Sequence, residues 1–330
     1  MTAPTAHRKY YLLGFVVVFV VACGVSFLIG QYPVSLRTLL DVLAGRSTDG
    51  DAALVVLQIR APRLLADALV GAGLSVAGAA YQGLFRNPMA SPDILGASAG
   101  AGFGAAVALY LGLTYALVSA SAFLVGLAAV GVAYAISGRA RRNPTLALVL
   151  AGIMVASLFS AGTSYVKLVS DPSNVLPAIT FWLMGSFANV RWSQLAWAAG
   201  PIVGGVVALM VSRWRLNLLT TSEDEARSMG VSTSAMRWVV VAFATMITAA
   251  CVAISGLVGW VGLVIPHLAR MVVGDDNRVM MPTALFMGAS FLVLVDDLAR
   301  AATSAEVPIG ILTAFVGAPF FVYLMLRSRL

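Results

Sequence analysis

Ala235-Met236-Arg237-Trp238-Val239-Val240-Val241-Ala242-Phe243-Ala244-Thr245-Met246-Ile247-Thr248-Ala249-Ala250-Cys251-Val252-Ala253-Ile254-Ser255 carries a single charge in 21 residues and leads through Gly256 into a second apolar run. About 20 such residues suffice for a helix to cross the hydrocarbon of a bilayer. The run lacks the period-2 alternation of a membrane barrel strand, so its spanning form is a helix. Working outward, charge, Pro and turn clusters divide the chain into ten candidate spans: 10–30, 64–85, 92–112, 115–137, 144–167, 192–212, 235–255, 256–274, 280–299 and 307–326. The break at Ser255-Gly256 decides the count, because fusing the two runs would make it odd and move the C-terminus to the other side.

Composition supports lipid as the solvent. Of 330 residues 60% are hydrophobic and 11% charged, and mean hydropathy is +0.93. A soluble domain has about 45–50% apolar and roughly 25% charged residues. Disorder and a disulfide-stapled secreted domain are excluded by the same figures and by the presence of only Cys23 and Cys251. The fold class is an all-α polytopic membrane protein.

With ten spans both termini share a side. That side holds 14 of the 21 lysines and arginines, including Arg8, Lys9, Arg86, Arg139, Arg141, Arg142 and Arg270. The other side holds 7: Arg37, Arg46, Arg60, Arg63, Lys167, Arg191 and Arg300. Cationic loops resist translocation, so the richer side is expected to be cytoplasmic. The net +7 is thus a topology signal, and no basic stripe with aromatics suggests nucleic acid. Val20-Val21-Ala22-Cys23 resembles a lipoprotein cleavage box, but the apolar run continues to Ile29 and reads as a first transmembrane helix.

Soluble-enzyme chemistry finds little support. The run Gly96-Ala97-Ser98-Ala99-Gly100-Ala101-Gly102-Phe103-Gly104 has no acid about 20 residues on for a ribose, so it reads as close helix packing, like Gly71, Ser75 and Ala79. Lys9 and Lys167 follow Arg8 and Val166, so no Gly-Lys-Ser/Thr phosphate loop is present. His7, His267, Cys23 and Cys251 are scattered and form no metal-ligand pair. Asp67, Asp296 and Asp297 fall near outward-facing span ends, where solvation by water or headgroups is expected; an ion-coupled carrier would instead show an acid at mid-membrane.

Two connectors and one loop carry more. In the connector 213–237, Ser222-Glu223-Asp224-Glu225 has the form of a capping box, and Gly230 can end the short helix it starts. Such a helix rises only about 10 Å and suits docking to a partner. Within Asn87-Pro88-Met89-Ala90-Ser91-Pro92-Asp93, Ser91 is expected to cap the third span with Pro92 first in the helix. Arg60-Ala61-Pro62-Arg63 sets two cations before the second span, and Arg300 follows the ninth.

In order and spacing, several segments together resemble the FecCD-type permeases of bacterial ABC importers for iron-siderophores, haem and cobalamin. They are Arg60-Ala61-Pro62-Arg63, Gly71-Ala72-Gly73-Leu74-Ser75-Val76-Ala77-Gly78 with Gln82, and Asn87 to Gly96. Ala226-Arg227-Ser228-Met229-Gly230-Val231, Gly262 to Arg270, Pro308-Ile309-Gly310 and Gly317-Ala318-Pro319 complete the set. The resemblance runs from about residue 10 to the C-terminus. It implies the type II ABC importer permease fold, with about ten transmembrane helices per protomer and residues 1–330 forming one transmembrane permease domain. It further implies a bacterial inner-membrane location, a second permease copy (a homodimer), a cytoplasmic ABC ATPase dimer, a periplasmic or lipid-anchored substrate-binding protein, and no cofactor or ATPase site of its own. By position, Arg60, Arg63 and Arg300 resemble the arginines that grip acidic residues of the binding protein. Glu223, Asp224, Glu225, Ala226, Arg227, Ser228, Met229 and Gly230 resemble the ATPase-coupling helix. Asn143, Pro144 and Thr145 resemble the cytoplasmic gate, although Asn143-Pro144 departs from the Ser/Thr-rich form of cobalamin permeases. The segment Leu176 to Ser186 is more similar to iron-chelate importers, which makes a ferric siderophore the expected cargo and haem the next, with cobalamin and molybdate as alternatives.

Overall fold

Side-chain caps start the short helices after α1 in this computed structural model, which describes residues 5–47, 49–139, 144–219, 228–229, 232–302 and 306–327. After α1 (Thr5–Ser26), the Ser35 hydroxyl accepts from the Thr38 amide at 3.1 Å and opens α2 (Leu36–Leu43). Asp49 accepts from the Ala52 amide at 3.0 Å and opens α3 (Gly50–Leu54). A π-turn (Val55–Arg60) joins α3 to α4 (Ala61–Phe85) without a break in the helical path. These short elements in the 31–60 stretch were not among the ten apolar runs, because their signals are polar caps and not hydropathy.

The chain continues through α5 (Ala97–Tyr110), α6 (Tyr115–Ser137), α7 (Pro144–Val169), α8 (Val175–Met184) and α9 (Trp192–Leu218). It ends with α10 (Thr233–Ser255), α11 (Val261–Val273), α12 (Asn277–Ala302) and α13 (Ile309–Arg327). Among the described residues every regular element is helical.

Each of the ten apolar runs carries one of these helices. Among the described residues six helical segments are long and apolar enough to cross a membrane: Gly50–Phe85, Tyr115–Ser137, Pro144–Val169, Trp192–Leu218, Thr233–Ser255 and Asn277–Ala302. With 14 and 13 residues, α5 and α11 rise only about 20 Å each. The ten-residue α8 rises about 15 Å and lies in a stretch that was not read as a span.

The break between the seventh and eighth runs is present. Gly256 takes φ +69, a left-handed conformation that glycine adopts without steric cost, and Trp260 follows with the same sign before α11 begins. The loop is held against the end of α8, where the Ser186 amide donates to the Ser255 carbonyl at 2.8 Å.

Small residues let α4 sit at the centre. It packs against α9, α10, α11 and α12, and is buried continuously from Val70 to Leu84. A Cβ on Gly78 would strike the Gly262 carbonyl of α11, and one on Gly71 would strike the Gly288 carbonyl of α12. Backbones meet there without intervening side chains, the contact that small residues permit in lipid. A second group, α5, α6 and α7, joins this core through α10. Gly100 and Gly104 of the Gly-rich run press on α6 around Ala129 and Ser121, so the packing reading of that run holds.

The expected Ser91 cap is corrected. Helix α5 begins only at Ala97, behind a left-handed Gly96. Ser91 accepts from the Asp93 amide at 3.3 Å within a turn, and the Asp93 carboxylate accepts from the Ser98 amide at 2.9 Å, which caps the helix from four residues before its start.

Candidate functional site

The three arginines singled out in sequence converge at one end of α1, α4 and α12. Arg63 lies in the first turn of α4 and faces α12, where Asp296 and Arg300 are four residues apart and share a helix face. Arg63 grips Asp296 with two parallel bonds, Nε to Oδ2 and Nη2 to Oδ1, both 2.8 Å. It grips Glu306 likewise, Nη1 to Oε1 at 2.8 Å and Nη2 to Oε2 at 2.9 Å. Paired forks of this kind are the geometry that makes Arg irreplaceable by Lys.

Arg300 approaches Asp296 Oδ2 at 3.1 Å through Nε, and donates from Nη2 to Ser26 Oγ at 2.8 Å and to Asp297. Ser26 in turn donates to Asp297 Oδ1 at 2.6 Å. Arg60 donates to the carbonyls of Phe27 and, at 2.5 Å, Tyr32, while Arg300 also reaches the Ile29 carbonyl at 3.3 Å. Two arginines therefore satisfy carbonyls left open after the end of α1.

This corrects one expectation. Asp67, Asp296 and Asp297 are not solvated at a span end; they are 0, 0 and 4% exposed. Arg60, Arg63 and Arg300, the expected docking rim, are 4, 5 and 9% exposed and their guanidinium groups are engaged internally. The physical reason is local. A dry carboxylate on α12 needs a cation, and the two nearest lie on the same helix and on α4. Glu306, in the short segment before α13, escaped sequence reasoning, as did the pairing of Asp296 and Asp297 with Arg300. The three- and four-residue spacings on α12 were the available signal.

At the opposite end, polar side chains fix the roots of the connector. Asn217 donates to Asp276 at 2.8 Å and accepts from the Asn277 amide at 2.9 Å, binding the end of α9 to the start of α12. Arg86 donates to the Leu219 carbonyl at 2.7 Å. Gln82 donates to the Leu263 carbonyl at 3.1 Å and accepts from Arg270, so α4 and α11 are tied as well. The Ser232 hydroxyl caps α10 where the connector returns. Of the expected coupling residues, Ser228 and Met229 are described, and the Met229 side chain is half exposed. Glu223, Asp224, Glu225, Ala226, Arg227 and Gly230 lie outside the described residues.

Pro144 and Thr145 start α7, and Asn143 lies outside the described residues. Thr145 and Leu146 line a cavity of about 580 Å³ together with Arg86, Asn87, Leu219 and Arg237. The gate expectation thus falls beside the connector roots. Along α7, Leu146, Leu150, Ile153, Met154 and Leu158 are all at least half exposed, an apolar stripe on one side of the helix.

Three comparisons bear on this arrangement. A model described as the FecCD transport family matches residues 17–327. The chain is 38% identical over 330 residues to the molybdate import system permease protein MolB of Haemophilus influenzae, covering 99% of this chain and 98% of that protein. It is 41% identical over 279 residues to the cobalamin import system permease protein BtuC of Halobacterium salinarum, covering 84% and 74%. A solved inward-facing conformation of a metal-chelate type ABC transporter superposes with a TM-score of 0.89 at 37% identity, covering 97% of this chain and 99% of that one.

Proposed function

The chain belongs to the FecCD transport family, an integral membrane family of ABC importer permeases, and from that premise we propose that it translocates a metal complex into the cell, a ferric siderophore first. The observation that carries the reading is the agreement with a metal-chelate type transporter along 97% of this chain and 99% of that one. The ferric choice rests further on the similarity of Leu176 to Ser186, which forms α8 and the turn after it, to iron-chelate importers.

In this reading a second copy covers the apolar stripe of α7, which would otherwise face lipid or an aqueous pathway. ATP is hydrolysed by separate subunits that dock on the connector between α9 and α10. The bonds from Asn217, Arg86 and Gln82 make the connector's roots a stiff lever, so a push on Glu223 to Gly230 reaches α4, α11 and α12 together. Asn143, Pro144 and Thr145 close the pathway on that same side. The binding protein docks at the end that carries Arg60, Arg63 and Arg300. These arginines hold the landing surface in shape, since they fasten the 27–32 segment and Glu306, whose side chain is 34% exposed. The two states of the permease interconvert because the ATPase binds them with different affinity.

A second cargo reading, molybdate, is favoured by the full-length similarity to MolB. A substrate panel separates them. Vesicles containing the permease, its ATPase and its binding protein are offered radiolabelled ferric siderophore, haem, cobalamin and molybdate. Accumulation of the ferric chelate supports the first reading; accumulation of molybdate alone overturns it.

A further inference from the structure

Between α9 and α12 a groove of about 780 Å³ is walled by Val206, Val211 and Leu285 and rimmed by Arg213, Trp214 and Arg278. Both helices are among the segments able to cross a membrane. Asn217 ties the end of α9 to the start of α12, and both arginines lie within about one turn of that tie. Away from it the walls are apolar. Val206 lies seven residues before Arg213 on α9, and Leu285 lies seven residues after Arg278 on α12. Seven residues rise about 10 Å, most of the roughly 15 Å of hydrocarbon in one leaflet. Among the described residues neither guanidinium meets a carboxylate. The nearby acids are committed elsewhere: Asp276 accepts from Asn217 and from the Arg278 amide, and Asp275 stands 3.8 Å from Arg270.

An occupant of this groove has to be anionic at the rim and apolar for two helical turns below it. A free phosphate matches the rim alone. A peptide would carry unpaired backbone groups into hydrocarbon. An acyl chain has no such groups, and a phosphodiester offers the oxygens that a guanidinium binds in pairs. The Trp214 ring, 44% exposed beside Arg213, has the amphipathic form that settles at headgroup level. Basic pockets between transmembrane helices take anionic headgroups for these reasons. We propose that the groove binds one anionic phospholipid from the leaflet on the connector side, its phosphate between Arg213 and Arg278 and an acyl chain along Val206, Val211 and Leu285. A lipid held there joins α9 to α12 at the root of the connector. The α7 stripe belongs to another part of the bundle, where α7 packs on α5 and α6, so a second copy seated on that stripe leaves the groove to lipid. Occupation depends on α9 and α12 facing lipid and not on which cargo crosses.

Native mass spectrometry of the full-length protein in detergent, titrated with phosphatidylglycerol or with phosphatidylcholine of the same chains, tests this. Wild type should bind one phosphatidylglycerol per chain about 25-fold more tightly than phosphatidylcholine, about fivefold for each arginine at the lipid surface. The double variant Arg213→Gln, Arg278→Gln should lose the preference and unfold at the wild-type midpoint in phosphatidylcholine, since neither side chain has an ion pair to lose. Arg215→Gln, an exposed arginine outside the groove, should keep the preference. Millimolar inorganic phosphate should leave the lipid bound. Equal affinity of wild type for the two lipids, a preference that survives in the double variant or vanishes equally in Arg215→Gln, or displacement by phosphate would each overturn the proposal. The lipid comparison and the phosphate competition on wild type decide even where a variant fails to fold.

Discussion

Replacing Arg63 with Gln separates an internal brace from a docking rim. The change removes four contacts of 2.8–2.9 Å, two to Asp296 and two to Glu306. They are not equal in weight. The Glu306 side chain is 34% exposed, so that half of the fork is screened and contributes at most about 1 kcal/mol. The Asp296 side chain is 0% exposed and would keep only the Arg300 contact at 3.1 Å, so a buried charge is left with its paired fork gone and one weaker partner. Breaking such a pair costs roughly 3–5 kcal/mol. At about 1.4 kcal/mol per factor of ten, the folded fraction relative to unfolded should fall by roughly 10²–10⁴. The assay is thermal unfolding of purified protein in detergent, followed by size-exclusion fluorescence. Adding Asp296→Asn to Arg63→Gln should recover part of the loss, because the orphaned charge goes with it. An Arg63→Gln protein with wild-type unfolding and only a weakened binding protein would refute the brace and restore the rim.

Three further outcomes follow from the packing, the charge distribution and the connector. Gly78→Ala should destabilise by about 1–3 kcal/mol through collision with the Gly262 carbonyl, whereas Gly83→Ala, with open space at its Cβ, should be neutral or stabilising by up to about 1 kcal/mol; unfolding midpoints of the two variants decide. In a background lacking Cys23 and Cys251, an impermeant thiol reagent outside the cell should label a cysteine at Arg46 and miss one at Arg139, both exposed positions, and the reverse pattern would invert the topology. If the connector docks the ATPase as proposed, Glu225→Arg should weaken ATPase co-purification about fivefold, equivalent to about 1 kcal/mol, and unchanged co-purification would remove the docking role.

Hydropathy exposed the spans and the break at Gly256 because lipid forces long apolar runs and a charge-free interior on any helix that crosses it. The short elements at 36–60 were visible only through Ser35 and Asp49, residues that can equally serve ordinary turns. Helix α8 was hidden for another reason: ten apolar residues are too few to mark a span and too apolar to mark a surface helix. The arginine cluster was half legible. Its cations stood out as loop charges, yet whether a charge at a helix end faces water or another helix depends on rotation about the helix axis. Glu306 lies 243 residues from Arg63, and no local pattern links them. Gly71, which admits α12 to α4, was read as a packing site, although which helix it admits is a property of the assembled bundle.

Reconstitution tests the central claim most directly. The permease is placed in proteoliposomes with its ATPase on one face and its binding protein on the other, and uptake of labelled cargo is measured with and without ATP. Uptake should require all three proteins and hydrolysable ATP, and should be indifferent to dissipation of proton and sodium gradients. Accumulation by the permease alone, driven by an ion gradient and unaffected by ATP, would contradict it.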